Sequence, residues 1–346
     1  MFDKPLHTVI AVVSLFSLFT CAFAGETGGS ARAVGPFEVN KLIGRGVNLG
    51  NALEAPNEGE WGVTLQEEYF QLIKDAGFDS IRLPVRWNAH AMAKPPYTID
   101  AEFFKRVDWA VDNALARDLP VMLNIHHYNE LDDDPGGHKE RFIALWKQIA
   151  EHYKDKPDIL VFELMNEPHG KLKAKPWSEI LADAITVVRK SNPDRTLVVG
   201  PVQWNQISQL KNLRLPEDDR NIIVTIHYYL PMKFTHQGAS WIKDSNNWLG
   251  TKWTGTEEEK QAVVKDFDIA AAWGKARNRP IHLGEFGAVD TADMDSRGRW
   301  TKFVVDSAIE RGWSFSYWEF CASFGAYDPV KKEWHKPLLK ALIPRE

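Results

Sequence analysis

The stretch LVFELMNEP, residues 160–168, reads first as a strand and then as something else. Leu160, Val161, Phe162, Leu164 and Met165 form the near-continuous apolar run of a strand covered on both faces, as in a parallel sheet under helices. Asn166, Glu167 and Pro168 then follow in succession. Proline lacks the N–H that a ladder needs, so Pro168 is expected to end the strand and fix where Glu167 emerges.

Working outward, the same unit recurs. Apolar runs at 42–50, 80–85, 120–127, 159–166, 196–202, 222–229, 280–286 and 313–320 read as strands. Between them lie segments with apolar residues at three- and four-residue spacing, such as LQEEYFQLIKDAG, FFKRVDWAVDNALARD and RFIALWKQIAEHYKD. Residues 176–191, 257–277 and 293–311 share that helical period, while the fifth helix reads as short. Eight alternations predict an α/β protein with a single closed (β/α)8 TIM barrel over residues 36–346. A doubly wound sheet is the alternative, but no Gly-rich dinucleotide turn supports it. Ahead of the barrel, Lys4, an apolar stretch from Val9 to Ala24 and the Ala22-Phe23-Ala24 site predict a secretory signal peptide over 1–24. A flexible Gly- and Ala-rich tether follows over 25–35. The expected location is therefore secreted or periplasmic, with no membrane contact after cleavage; anchoring as a lipoprotein through Cys21 is the weaker reading. Cleavage leaves Cys321 alone, so no intrachain disulfide is expected.

In a barrel, the strand C-termini and the loops after them form the functional face. Seven of the eight runs carry costly polar groups there: Asn48 and Asn51, Arg82, His126 and His127, Asn166 and Glu167, His227 and Tyr229, Glu285, and Trp318. Glu167 and Glu285 end strands four and seven, roughly across the barrel from one another. Glycoside hydrolysis needs such a pair, one carboxyl protonated to serve the leaving oxygen and one ionised to attack the anomeric carbon.

LMNEP at 164–168 and GEFG at 284–287 resemble the two signatures of glycoside hydrolase family 5, the cellulase family in the 4/7 clan of barrel glycosidases. RLPVRW (82–87), NIHHY (124–128), IHYY (226–229) and YWEF (317–320) support that resemblance in the same order, over about residues 36–343. The resemblance implies Glu167 as acid/base, Glu285 as nucleophile, and retention of anomeric configuration. Glu167 is then expected to carry a raised pKa and Glu285 a lower one. Arg82 would hold Glu285 ionised, Tyr229 would donate to it, and His227 would partner Glu167. Asn166 would meet the sugar 2-hydroxyl, His126 and His127 would bond hydroxyls, and Trp318 would lie beneath the sugar at the cleavage point.

The run NLGNALEAPNEGEWG, 48–62, resembles bacterial endo-β-1,4-glucanases, with Asn51 and Glu54 expected on sugar hydroxyls. His236 and Trp241, in the long segment 231–255, would reach the leaving-group sugars. The expected partner is a β-1,4-linked polysaccharide or oligosaccharide met by a monomer; an endo-β-1,4-mannanase or a dual glucanase/mannanase is the alternative. Composition agrees. A net charge of −5 argues against nucleic acid, and the 14 tryptophans suit flat sugar faces. No cofactor is expected. A metal hydrolase built on His126, His127, Glu130, His138 and Asp132–Asp134 is the weaker chemistry, since adjacent strand histidines face opposite ways and the three aspartates read as a turn. A non-catalytic polysaccharide-binding barrel is a further alternative, disfavoured because both carboxylates are present.

Overall fold

The apolar runs pair in chain order into one closed parallel barrel: β1 (Arg45–Asn48), β2 (Ser80–Leu83), β3 (Val121–Asn124), β4 (Leu160–Glu163), β5 (Leu197–Val199), β6 (Ile222–His227), β7 (Ile281–Glu285) and β8 (Ser314–Tyr317). This computed structural model describes Met1 and residues 35–344; the signal and tether segments read from the sequence lie outside the described residues, apart from Met1 and Gly35. Closure is made by β8 beside β1, with Gly46 opposite Ser316. Each strand is followed by a helix that covers the barrel. The largest are Ala101–Leu115, Pro135–His152, Ala174–Arg189, Glu257–Arg277 and Met294–Ile309, and the fifth is the short 3₁₀ turn Ile207–Asn212.

Helix starts follow local chemistry. Thr256 caps Glu257–Arg277, accepting from Glu259 N while the Glu259 carboxylate accepts from Thr256 N, a reciprocal capping box. Asp134 accepts from Gly137 N at 3.1 Å to start Pro135–His152. The three aspartates read as a turn are instead the end of a short helix, Asn129–Asp133, and this cap.

Two layers of core result. Leu83, Leu123, Phe162, Val224 and Phe315 pack outward under the helices. Met122, Val161, Val198 and Ile223 point inward and meet Val39 and Ile43 of a helix, Pro36–Ile43, that stops the N-terminal end of the barrel. The sequence reading had strand one begin at Leu42 and missed this helix. Asn40 ties it on, donating to Ile281 O at 3.3 Å and accepting from Ser314 Oγ at 2.6 Å.

Period two then decides what lies above the plug. Two residues beyond inward-facing Met122 and Val161 stand Asn124 and Glu163, so polar groups enter the barrel one layer higher, with Arg82 and Asn48 beside them. The ladder also ends sooner than the apolar pattern suggests. β4 stops at Glu163, four residues before Glu167, so Pro168 does not end it; extended backbone continues through Leu164 N to Val198 O (3.0 Å) and Asn166 N to Ile125 O (3.0 Å).

Candidate active site

Arg82 organises the C-terminal mouth of the barrel. Its guanidinium is fully buried and donates from Nε to Glu163 Oε2 (2.7 Å) and from Nη2 to Glu163 Oε1 (3.0 Å). Nη1 donates to Glu285 Oε1 and to Asn48 Oδ1, both at 2.7 Å, and Nη2 also reaches Asn166 Oδ1 at 2.6 Å. Only a planar fork makes this many bonds from one charge. Burial alone would depress its pKa, but Glu163 and Glu285 outweigh that and raise it. With Oδ1 engaged, Asn166 keeps Nδ2 as a donor toward the cleft.

Glu285 closes β7 and is buried, its second oxygen accepting from Tyr229 Oη at 3.0 Å. Burial lifts that hydroxyl far above its ordinary range, so Tyr229 keeps the hydrogen it donates. A register shift between Ile226 and His227 places His227 opposite Glu285, the kind of bulge that re-aims a side chain. His227 Nδ1 lies 2.6 Å from Glu167 Oε1 and 3.5 Å from Glu285 Oε2.

The tautomer of His227 follows from its other nitrogen. Asn205 Nδ2 donates to the Asn166 carbonyl and sits 3.2 Å from His227 Nε2. That nitrogen therefore accepts, and Nδ1 carries the hydrogen given to Glu167. Burial drops His227 to about 4, so it is neutral at neutral pH. Burial also lifts Glu167 to about 7, against the pull of Arg82 and His169.

The expected split between the two carboxyls is altered in one respect. Burial raises Glu285 from its ordinary value as well, opposed by His227 and Arg82. What separates the pair is contact: Arg82 bonds Glu285 directly, whereas Glu167 bonds a neutral imidazole. The donor atoms of Glu167, His227 and Glu285 lie within 4.8 Å of one another, the spacing a cation site also needs. A cation there would have to displace the His227 proton and face the Arg82 charge.

The model of the cellulase family, glycosyl hydrolase family 5, matches residues 44–323. The chain belongs to that family. Endoglucanase H of Acetivibrio thermocellus is 41% identical over 299 residues, 86% of this chain and 32% of that protein. Cellulase/esterase CelE of the same organism is 28% identical over 87% of this chain and 38% of its own length. The chain thus spans about a third of these curated relatives. Among solved structures, Cel5A of Thermotoga maritima in complex with mannotriose is 52% identical with a TM-score of 0.88, covering 89% of this chain and all of that one.

Several expected residues converge on this cellulase-family mouth. His126 stacks on Trp318 (centroids 5.4 Å, 15°), its Nε2 3.8 Å from Glu285 Oε1. His127 stands edge-on to His126 at 4.7 Å and to Trp61 at 5.4 Å. Burial holds both histidines neutral, His127 at about 4 and His126 well below its ordinary value. His236 is buried beside Tyr229 and Phe324 (4.9 and 5.4 Å), and Trp241 stands exposed 6.5 Å from it. The chain passes close to the Trp318 main chain: a Cβ at Gly287 would lie 2.1 Å from the Trp318 carbonyl, which explains the second glycine of GEFG.

Glu54 departs from expectation. It is fully buried and turned back on its own loop, accepting from Asn51 N and from Ala52 N (3.0 Å), so it presents no free oxygen to a sugar. Asn51 sits at the bend with φ 63°, a left-handed angle that asparagine tolerates. Burial pushes Glu54 up to about 8. Buried Glu319, raised to about 7, does the same work after β8, accepting from Cys321, Ala322 and Phe324 N at 2.7 to 3.1 Å.

The sequence reading missed Glu163, Asn205, Glu319 and Trp204. Glu163 left a signal, a carboxylate inside an apolar strand, opposite Asn124 of β3. Trp204 is half-exposed and stacks on His169 at 4.8 Å, 20°; its segment has no helical or strand period to place it.

Proposed function

We propose that the chain is a retaining endo-β-1,4-glucanase working by double displacement, with Glu285 as nucleophile and Glu167 as acid/base. The observation that carries this is the separation of the carboxylates. Oxygens of Glu167 and Glu285 lie within 4.8 Å of one another, closer than the roughly 6.5–9.5 Å that lets an inverting site seat a water against the sugar, and near the roughly 5 Å of retaining sites. Glu285 Oε2 attacks the anomeric carbon as Glu167 gives its proton to the departing glycosidic oxygen. Water then attacks the same carbon, giving its proton to Glu167 and freeing Glu285. His227, donating through Nδ1, holds the Glu167 carboxyl in line for both transfers.

Glucan is favoured as substrate by the endoglucanase relatives, and action outside the cell by the signal-like residues 1–24. The relative solved with mannotriose, also solved with cellobiose, supports a second reading in which β-1,4-mannan is cut as well. The test is reducing-sugar release from carboxymethylcellulose, barley β-glucan and mannan, with Glu285→Gln as control and the first-formed anomer read by proton NMR. Release of β-anomer from the glucans, lost in the control, is expected. First-formed α-anomer overturns retention, and release from mannan alone overturns the substrate.

A further inference from the structure

The segment that carries Glu167 lies beyond the β4 ladder, yet its three successive carbonyls are each held by a separate donor. Asn166 O accepts from Asn205 Nδ2, Glu167 O from His169 Nδ1 at 2.6 Å, and Pro168 O from Trp204 N at 3.3 Å. Two donors come from the loop after β5, where Gln203, Trp204 and Asn205 take φ of 58, 58 and 55°. The third is a side chain two residues from Glu167 itself. A carbonyl oxygen only accepts, so His169 Nδ1 carries the hydrogen.

His169 is fixed from behind. Asp132, 3% exposed, accepts the His169 main-chain N–H on Oδ1 at 2.9 Å and places Oδ2 3.5 Å from the ring Nδ1. Its carbonyl accepts from Lys171 N at 2.8 Å, and Gly170, at φ 57°, lets the chain pass that carbonyl closely. One face of the ring stacks on Trp204. The Glu167 carboxyl, by contrast, has a single hydrogen bond among the described residues, from His227. Its aim depends on the peptide from which it springs.

We propose that His169, braced by Asp132, is a positioning residue for Glu167: its Nδ1–H pins the Glu167 peptide so that the carboxyl meets the glycosidic oxygen. The inference rests on the acid/base assignment of Glu167. It competes with a plainer role in which the ring only packs beneath Trp204. His169→Phe keeps a flat ring and removes the donor; His169→Asn keeps an N–H at the position of Nδ1 and removes the ring.

The experiment compares kcat/KM on cello-oligosaccharides, whose leaving alkoxide needs a proton, and on an aryl cellobioside with an acidic phenol, which does not. Misplacing an acid by about 1 Å costs on the order of 100-fold, and a general acid contributes about 10²–10⁴-fold. His169→Phe is therefore expected to lose roughly 10- to 100-fold on oligosaccharide and under about threefold on the aryl substrate. His169→Asn should recover most of the loss. Equal losses on both substrates, or His169→Asn as impaired as His169→Phe at unchanged thermal midpoint, would overturn the proposal. Should His169→Phe not fold, Asp132→Ala must show the same dependence on leaving group, and its absence there is equally fatal. Glu167→Gln runs alongside: if it shows no dependence on leaving group, the acid/base assignment itself fails, and that is distinguishable from failure of the His169 tether alone.

Discussion

Glu163 touches no expected substrate, yet it sets the charge balance of the mouth. It takes the Nε and Nη2 hydrogens of Arg82 and a third bond from Asn124 Nδ2 at 2.9 Å, all fully buried. Glutamine offers one oxygen for three donors, and Arg82 would keep its charge with a single carboxylate left. Glu163→Gln is expected to cost about 3–5 kcal/mol, read as a lower urea midpoint, with falling kcat because Arg82 also aligns Glu285. Glu54 gives the opposite kind of residue-scale effect. Its native pKa, raised by burial to about 8, lies above the roughly 4.3 of an unfolded glutamate, so the folded chain holds the proton more tightly. The contribution to stability is present at acid pH and is lost as pH rises through 8. Relative to wild type, Glu54→Gln should gain roughly 2–4 kcal/mol between pH 5 and pH 8; a constant difference across that range would refute it. These residues also mark what could be read in advance. Glu167 and Glu285 interrupt apolar runs at strand ends, where a carboxylate has few bland reasons to be. Glu54 lies in a loop without periodicity, and nothing in the letters says which way such a side chain turns.

Among elements, the long segment after β6 divides by burial. Trp241 is 61% exposed and stands near His236 and Phe324, whereas Trp253 is 1% exposed and packs on Phe303 at 5.9 Å. Gln237 knits the segment together, donating to Phe234 O and Thr251 O and accepting from Gly250 N. Trp241→Ala is expected to raise KM several-fold on long substrates and leave the melting midpoint unchanged, since an exposed ring loses no core contact. Trp253→Ala should cost about 3–5 kcal/mol of stability with little change in KM; if the two variants exchange these phenotypes, the assignment of the segment is wrong. The helix Glu257–Arg277 was legible to the residue, its caps spelled out in sequence as Thr256 with Glu259 at one end and Asn278 at the other, while the helices read at 176–191 and 293–311 lie at Ala174–Arg189 and Met294–Ile309. Strand ends were not. Leu164 and Met165 stay apolar after the ladder has stopped, because the loop beneath the cleft is buried as deeply as the strand.

At the scale of the whole molecule, the barrel keeps its two ends apart in purpose. The polar layer of Arg82, Glu163, Asn124 and Asn48 lies toward the strand C-termini, and the apolar layer of Met122, Val161, Val198 and Ile223 lies toward the N-termini under Val39 and Ile43. The count of strand–helix units made the barrel legible, but the plug was hidden because Pro36–Ile43 is only eight residues long and runs into the first strand. Barrel enzymes place chemistry at the C-terminal face and leave the other for stability, so the two ends should fail separately. Ile43 is 2% exposed, and Ile43→Ala removes apolar volume from a layer that cannot collapse without bending strands. The expected cost is about 2–5 kcal/mol, and at roughly 2–4 °C per kcal/mol for a large domain the melting midpoint should fall by several degrees. Because the cavity is separated from Glu167 and Glu285 by the Arg82 layer, kcat/KM at 25 °C should stay within about twofold. Trp318→Ala is the mirror experiment at the mouth, with kcat/KM falling and the midpoint little moved. A loss of activity in Ile43→Ala while it remains fully folded would mean that the two layers are mechanically coupled, and that the polar layer takes its geometry from the plug below it.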